Sequence, residues 1–80
     1  MSFACPCCKF LTVDEEPPGT FQVCPVCFWE DDFAQFHDPS FAGGANSMSL
    51  KEAQENFQSF KACGLAFCKK VRQPLPNELP

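Results

Sequence analysis

The hydrophobic pattern of the first third of the chain predicts a β-hairpin. Residues 10–13 (Phe-Leu-Thr-Val) are mostly apolar and contain no breaker, which is typical of a strand. Residues 20–23 alternate polar and apolar side chains, so we expect a returning strand with Phe21 and Val23 on one face. The acidic, proline-rich segment 14–19 between them predicts a turn.

Farther along, a second periodicity predicts one main helix. Its apolar residues recur at spacings of three and four, which places them on one helical face. This face comprises Leu50, Ala53, Phe57 and Phe60. Ser49 and Glu52 form a capping box at the start, and Gly64 is the expected end. Residues 65–72 predict a second, short helix.

Between the hairpin and the main helix, residues 28–46 have no regular period and predict a long loop held by its own aromatic side chains. A short helix around 32–36 is the one regular element expected within it. An apolar helix face needs a cover on a soluble monomer, and we expect aromatic residues in and after the hairpin to supply it. The expected cover comprises Phe10, Phe21, Phe28, Trp29 and one or more of Phe33, Phe36 and Phe41.

The length of the chain predicts one small domain with little stability of its own. Eighty residues form one domain, which we place at 1–74, followed by an extended tail over 75–80. Cores of this size leave only about 3–5 kcal/mol of net stability. A structural metal is therefore expected to contribute to folding.

Four cysteines have the spacing of a four-thiolate zinc site. Cys5 and Cys8 form one Cys-Pro-x-Cys turn, and Cys24 and Cys27 form another after fifteen intervening residues. Zn²⁺ takes four tetrahedral ligands at about 2.3 Å from each sulfur. The sequence thus predicts one Zn²⁺ per chain bound by these four residues. Iron is the chemical alternative, because a tetrahedron of thiolates accepts both metals.

Three further cysteines and one histidine lie outside this pattern. Cys7 is expected to point outward from its turn as a spectator, with a redox thiol or a competing ligand as alternatives. Cys63 and Cys68 are expected to pack as small hydrophobic side chains. A second metal site formed by these two with His37 would require distant segments to converge and is disfavoured.

Charge disfavours nucleic acid as a partner. The formal charge is −4, and four thiolates with one Zn²⁺ bring it to about −6. A nucleic-acid-binding surface needs basic side chains to neutralise phosphates. The only basic cluster comprises Lys69, Lys70 and Arg72, which also fits a solvated surface.

Other classes of protein are disfavoured by features that the sequence lacks. It shows no signal-peptide pattern and no apolar run of membrane-spanning length. Paired cysteines of this kind bind metal in a reducing cytosol, so a cytoplasmic location is expected. No nucleophile is paired with a base, so we do not expect an enzyme. The oligomeric state stays open.

Several motifs together resemble those of a known family. They are CPCC at 5–8, CPVCFWEDD at 24–32, and GGAN at 43–46 leading into 49–53. In this combination the chain resembles the bacterial CPCC family of small cysteine-rich proteins, from about residue 5 to residue 60 and more loosely to 74. The resemblance implies a rubredoxin-like zinc ribbon followed by a helix. It implies no particular activity.

One position departs from the usual pattern of such turns. Lys9 stands where cysteine turns of this type usually carry Gly in a left-handed backbone conformation. A non-glycine residue in that conformation costs about 1 kcal/mol.

Taken together, these features predict a small metal-bound α+β fold. It has a zinc-ribbon β-hairpin with two cysteine turns, a long aromatic loop, one main C-terminal helix and a second short helix. The predicted function is that of a protein-interaction or regulatory module with a structural zinc site. Two alternatives are a nucleic-acid-binding zinc ribbon and a thiol redox protein that uses Cys7.

Overall fold

The computed structural model describes residues 2–80 and contains a two-stranded antiparallel hairpin. Strand β1 is Phe3–Ala4 and strand β2 is Leu11–Val13. Phe3 lies opposite Val13 and Ala4 opposite Leu11, with a shift of register between them. The first cysteine turn connects the two strands, so the hairpin and that turn form one unit. The α+β fold class is confirmed.

Two helices and two 3₁₀ turns follow the hairpin. Helix α1 is Phe33–His37 and helix α2 is Leu50–Phe60. The 3₁₀ turns are Leu65–Phe67 and Pro76–Glu78. None of the helices within residues 2–80 is long and apolar enough to cross a membrane.

The prediction that β2 pairs with residues 20–23 is wrong. Residues 20–23 form no regular strand, and Val23 makes one antiparallel bridge, to Glu30. The backbone of Phe21 is left-handed, with φ 59°, so the extended conformation that a ladder requires is interrupted there. Phe21 and Val23 are both exposed. Strand β2 instead pairs with β1, across the chain reversal of the first cysteine turn.

The predicted short helix in the long loop is confirmed as α1, shifted by one residue. Asp32 caps it, because its Oδ1 accepts a hydrogen bond from the Gln35 backbone N–H at 2.9 Å. Backbone hydrogen bonds, first that from Gln35, lower the pKa of the Asp32 carboxyl. A carboxylate at an N-cap also interacts favourably with the helix dipole.

The side chain of Gln35 holds the loop together from inside. It is fully buried, and its Nε2 lies 2.9–3.1 Å from the carbonyl oxygens of Phe41, Asn46 and Met48. Its Oε1 accepts from the backbone N–H and the Nδ2 of Asn46, at 3.1 and 3.0 Å. Nδ2 of Asn46 also donates to the carbonyl of Glu30 at 2.8 Å. A buried amide network therefore connects both ends of the loop.

The expectation that aromatic side chains hold this loop is wrong. Phe33, Phe36 and Phe41 are all exposed, by 59%, 37% and 41%. A loop backbone carries polar groups that need partners when buried, and a glutamine amide supplies both donors and an acceptor.

Replacement of Gln35 by Leu is expected to lower the free energy of unfolding by about 2 kcal/mol or more, because buried backbone groups lose their partners. Urea unfolding of the metal-loaded protein measures the effect. Gln58→Leu, at an exposed position of α2, is the matched control. Equal urea midpoints for the two variants would show that the amide network does not hold the loop.

Helix α2 begins as predicted and ends earlier than predicted. The Glu52 N–H donates to Ser49 Oγ at 3.1 Å. Lys61, with φ 65° and ψ 31°, is the left-handed C-cap, so Gly64 is not the end of the helix. A Cβ at Gly64 would lie 2.7 Å from Met48 Cε, so a larger residue there would require the end of the Met48 side chain to move.

The C-terminal segment folds back through an ion pair. The second short helix predicted over 65–72 is only the 3₁₀ turn named above. Farther on, Arg72 Nη1 and Nη2 donate to the two carboxylate oxygens of Glu78, at 2.8 and 2.9 Å. These hydrogen bonds lower the pKa of Glu78 and raise that of Arg72. Residues 75–80, predicted to be extended, include the turn that carries Glu78.

The core lies between α2 and the two cysteine turns. The buried face of α2 is Leu50, Ala53 and Phe57, and Phe60 lies at its half-buried edge. The predicted cover is confirmed in part. Phe10, Phe28 and Trp29 pack in this core, whereas the exposed Phe21 and the three loop phenylalanines do not.

Candidate metal centre

The first cysteine turn is a tight reversal closed by two backbone hydrogen bonds. The Lys9 N–H donates to the Cys5 carbonyl at 2.8 Å, and the Cys5 N–H donates to the Phe10 carbonyl at 2.9 Å. Lys9 is left-handed, with φ 71°, so the conformation expected at this position is present without Gly.

The second cysteine turn repeats the first. The Phe28 N–H donates to the Cys24 carbonyl at 2.8 Å, and the Cys24 N–H donates to the Trp29 carbonyl at 2.9 Å. Phe28 is left-handed with φ 72°, at the position equivalent to Lys9. Because the two turns have the same hydrogen bonds and the same left-handed residue, each turn orients its pair of cysteine sulfurs in the same way.

The structure brings Cys5, Cys8, Cys24 and Cys27 together as one buried cluster. Their four Sγ atoms all lie within 4.8 Å of one another. The Sγ atoms of Cys5 and Cys27 are 3.6 Å apart, and those of Cys8 and Cys24 are 3.7 Å apart. Sulfurs at about 2.3 Å from a tetrahedral ion would be about 3.8 Å apart, so the donor set fits one such ion.

Hydrogen-bond donors surround the sulfur of Cys24. Thr12 Oγ1 lies 2.9 Å from it, and the Val26 N–H donates to it at 3.4 Å. Donors of this kind stabilise a thiolate. Sequence reasoning placed Thr12 in a strand and missed this contact; its position on the strand that follows the first cysteine turn was the only signal.

Without a metal ion, the four cysteines of the cluster do not all carry a negative charge. Hydrogen bonding with Cys27 lowers the pKa of Cys24. Hydrogen bonding with Cys24, in turn, raises the pKa of Cys5, Cys8 and Cys27. Four thiolates this close together and out of water need a cation between them.

Cys7 does not point outward as predicted. Its side chain is 4% exposed and belongs to the hydrophobic core. Helix α2 covers this turn, because Gln54 Nε2 donates to the Pro6 carbonyl at 3.0 Å. The middle of the turn is thereby shielded from solvent.

The remaining cysteines and the histidine do not form a second site. Cys63 is fully buried, its N–H donates to the Cys27 carbonyl at 2.7 Å, and burial raises the pKa of its thiol to about 12. Cys68 is exposed, contrary to the expectation that it packs inside. His37 is exposed on α1. In the chain from residue 2 onward, the four-cysteine cluster is the one group with the closeness that a metal ion requires.

The basic residues near the C-terminus are partly engaged within the molecule. Arg72 is paired with Glu78, and Lys70 Nζ lies 5.8 Å from the ring centroid of Phe28. Of the predicted cluster, Lys69 is exposed.

Fold and site together define a small α+β protein whose four-cysteine cluster is compatible with a structural metal site. The chain matches the sequence profile of the cysteine-rich CPCC family over residues 3–78, which is nearly its whole length, and it belongs to this family. None of the curated proteins compared with the chain matches it.

Proposed function

We propose that the protein binds one structural Zn²⁺ through Cys5, Cys8, Cys24 and Cys27 and acts as a protein-interaction or regulatory module. The observation that carries this proposal is the cluster of four buried sulfurs within 4.8 Å of one another. Zn²⁺ is the metal we favour, because tetrahedral four-thiolate sites are typical of structural zinc. When bound, it neutralises part of the thiolate charge and joins the two cysteine turns.

The absence of an open ligand position supports a structural role rather than an enzymatic one. Catalytic zinc sites keep one position for water or substrate, and four thiolates fill all positions. Around this cluster the protein supplies packing and hydrogen bonds from Thr12 and Val26, with no paired acid and base. We therefore propose that the protein is not an enzyme.

The two alternatives receive less support from the same residues. Nucleic-acid binding would rest on Lys69, Lys70 and Arg72 in a chain of formal charge −4, with Arg72 already paired to Glu78. Redox chemistry at Cys7 requires access to its thiol, which is buried. A cytoplasmic location remains our proposal, because paired cysteines of this spacing typically bind metal in a reducing compartment.

Native mass spectrometry of the purified protein and its cysteine variants tests the metal site. We expect one Zn²⁺ per chain in the wild type, its loss in Cys8→Ser and Cys24→Ser, and its retention in Cys7→Ser and Cys68→Ser. A wild type with no metal or with two would contradict the proposal. Loss of metal from Cys7→Ser together with retention in Cys8→Ser would show that the first turn binds through Cys7.

A further inference from the structure

Helix α1 presents aromatic rings to solvent on one side. Phe33, Phe36 and His37 stand at positions i, i+3 and i+4, which share a helical face. The ring centroid of His37 lies 4.4 Å from that of Phe33 and 5.4 Å from that of Phe36. Phe33 is 59% exposed and Phe36 37%. These three residues, here named the α1 face, make a continuous aromatic surface that the core does not use.

The α1 face is held rigidly from behind. Gln35, on the other side of the helix, is fully buried in the amide network that fixes the loop. Asp32 adds a second anchor, because its Oδ2 accepts from the Ala45 N–H at 2.9 Å. A surface that is already ordered loses less entropy when a partner binds. The hydrogen bonds of Gln35 and Asp32 therefore fix the helix that carries the exposed rings of the α1 face.

The segment that neighbours the α1 face also includes an exposed aromatic side chain, that of Phe21. The turn 14–19 lies against this face, since a Cβ on Gly19 would be 3.6 Å from Phe33 Cβ. Phe21, two residues on, is 62% exposed and has a left-handed backbone, which is unfavourable for a residue with a side chain. The exposed ring of Phe21 gains no packing in this conformation, while its backbone N–H donates to the Asp31 carbonyl at 2.9 Å and so holds the ring in place.

The stretch of sequence that contains the α1 face carries only negative formal charges. The sequence has no Lys or Arg between Lys9 and Lys51, and seven of its ten acidic residues lie there. The seven are Asp14, Glu15, Glu16, Glu30, Asp31, Asp32 and Asp38. This stretch thus carries −7, while the rest of the chain, with six basic and three acidic residues, carries +3. The α1 face therefore lies in the acidic half of the sequence, residues 10–50, in which six of the seven carboxylates are not buried.

We propose that the α1 face docks a basic, arginine-containing segment of a partner protein. Arginine suits both features of the surface, because it stacks on exposed phenylalanine rings and pairs with the surrounding carboxylates. An anionic partner such as nucleic acid would be repelled by the same carboxylates. The inference rests on the proposed interaction function and names the surface and the partner chemistry.

The test uses the metal-loaded protein and a short fluorescein-labelled peptide in which Arg alternates with Trp or Leu. Fluorescence anisotropy is expected to show binding that weakens with salt, and no binding of a twin peptide with Glu at each Arg position. The double variant Phe33→Ser, Phe36→Ser is expected to weaken binding about tenfold or more. Leu65→Ser, which removes a 74% exposed side chain outside the acidic half, is the matched control and is expected to bind as the wild type does.

Two charge-reversal variants test whether acidic residues near the α1 face contribute to binding of the peptide. Glu16→Lys, in the turn that touches Phe33, is expected to weaken binding more than Glu55→Lys, at an exposed position of α2. Equal effects of these two variants, or equal binding by the double phenylalanine variant and Leu65→Ser, would overturn the proposed surface.

Two other ligands of the α1 face, a second copy of the chain and a nucleic acid, would give different experimental results. If the protein alone gains mass with concentration in sedimentation, and the double phenylalanine variant does not, the surface binds a second copy and the partner proposal is wrong. Direct binding of a labelled DNA or RNA oligonucleotide to the wild type, lost in the double phenylalanine variant, would likewise overturn it. Metal content and circular dichroism are recorded for every variant. Failure to bind with one zinc present contradicts only this surface, whereas absence of zinc contradicts the proposed function.

Discussion

Removal of the metal is expected to unfold the whole domain rather than only the turns that bind it. The strands have two and three residues, and a two-stranded hairpin of this kind is not stable alone in water. The cluster cysteines are also part of the core in which α2 packs. A structural zinc site contributes on the order of 10 kcal/mol, which exceeds the net stability of about 3–5 kcal/mol that a domain of this size reaches.

Titration with a chelator, followed by circular dichroism and tryptophan fluorescence, measures this effect. Trp29 is 1% exposed beside the second cysteine turn, so its emission reports the core while the helical signal reports α2. We expect both signals to be lost together and to return together when Zn²⁺ is added. A helical signal that outlasts the tryptophan signal would show that α2 folds without the metal centre.

The parts of the fold that sequence predicts correctly depend on short-range rules. The spacing of Cys5 and Cys8 is set within one turn, and the same rule applies to Cys24 and Cys27, so the cluster follows once the two turns meet. The start of α2 is likewise local, because the Ser49 hydroxyl accepts from an amide three residues away.

The strand pairing could not be predicted in this way. Residues 20–23 alternate as a strand should, but alternation does not reveal that Phe21 adopts a positive φ. The true partner of β2 is the two-residue strand β1, too short for any periodic pattern to indicate. Which segment pairs with β2 is decided by the chain reversal at the first cysteine turn.

The loop interior and the position of Cys7 depend on contacts between distant residues. Gln35 bonds to residues six to thirteen positions away, and a glutamine between two phenylalanines gives no local sign of burial. Cys7 is covered because Gln54, far along the chain, bonds to the turn beside it. Because burial here depends on contacts between distant residues, hydrophobicity alone predicts that Phe33, Phe36 and Phe41 lie inside, whereas the structure exposes them.

Replacement of Phe57 by Ala is expected to lower the free energy of unfolding by about 3–5 kcal/mol, even with the metal bound. Phe57 is 6% exposed, and its ring meets that of Phe10 edge to face at a centroid distance of 6.1 Å. Phe10 also closes the first cysteine turn through its carbonyl, so Phe57 connects α2 to that turn. Urea unfolding of the zinc-loaded protein, with zinc content determined alongside, measures the loss.

Phe36→Ala is the matched control for this substitution, because Phe36 is 37% exposed and lies outside the core. A substitution there is expected to change the free energy of unfolding by less than about 0.5–1 kcal/mol. If Phe57→Ala kept both its zinc and the urea midpoint of Phe36→Ala, α2 would be an appendage that contributes nothing to the stability of the metal centre. Loss of stability in Phe57→Ala alone would instead show that helix and cysteine turns unfold as one cooperative unit, since the only change is a cavity between them.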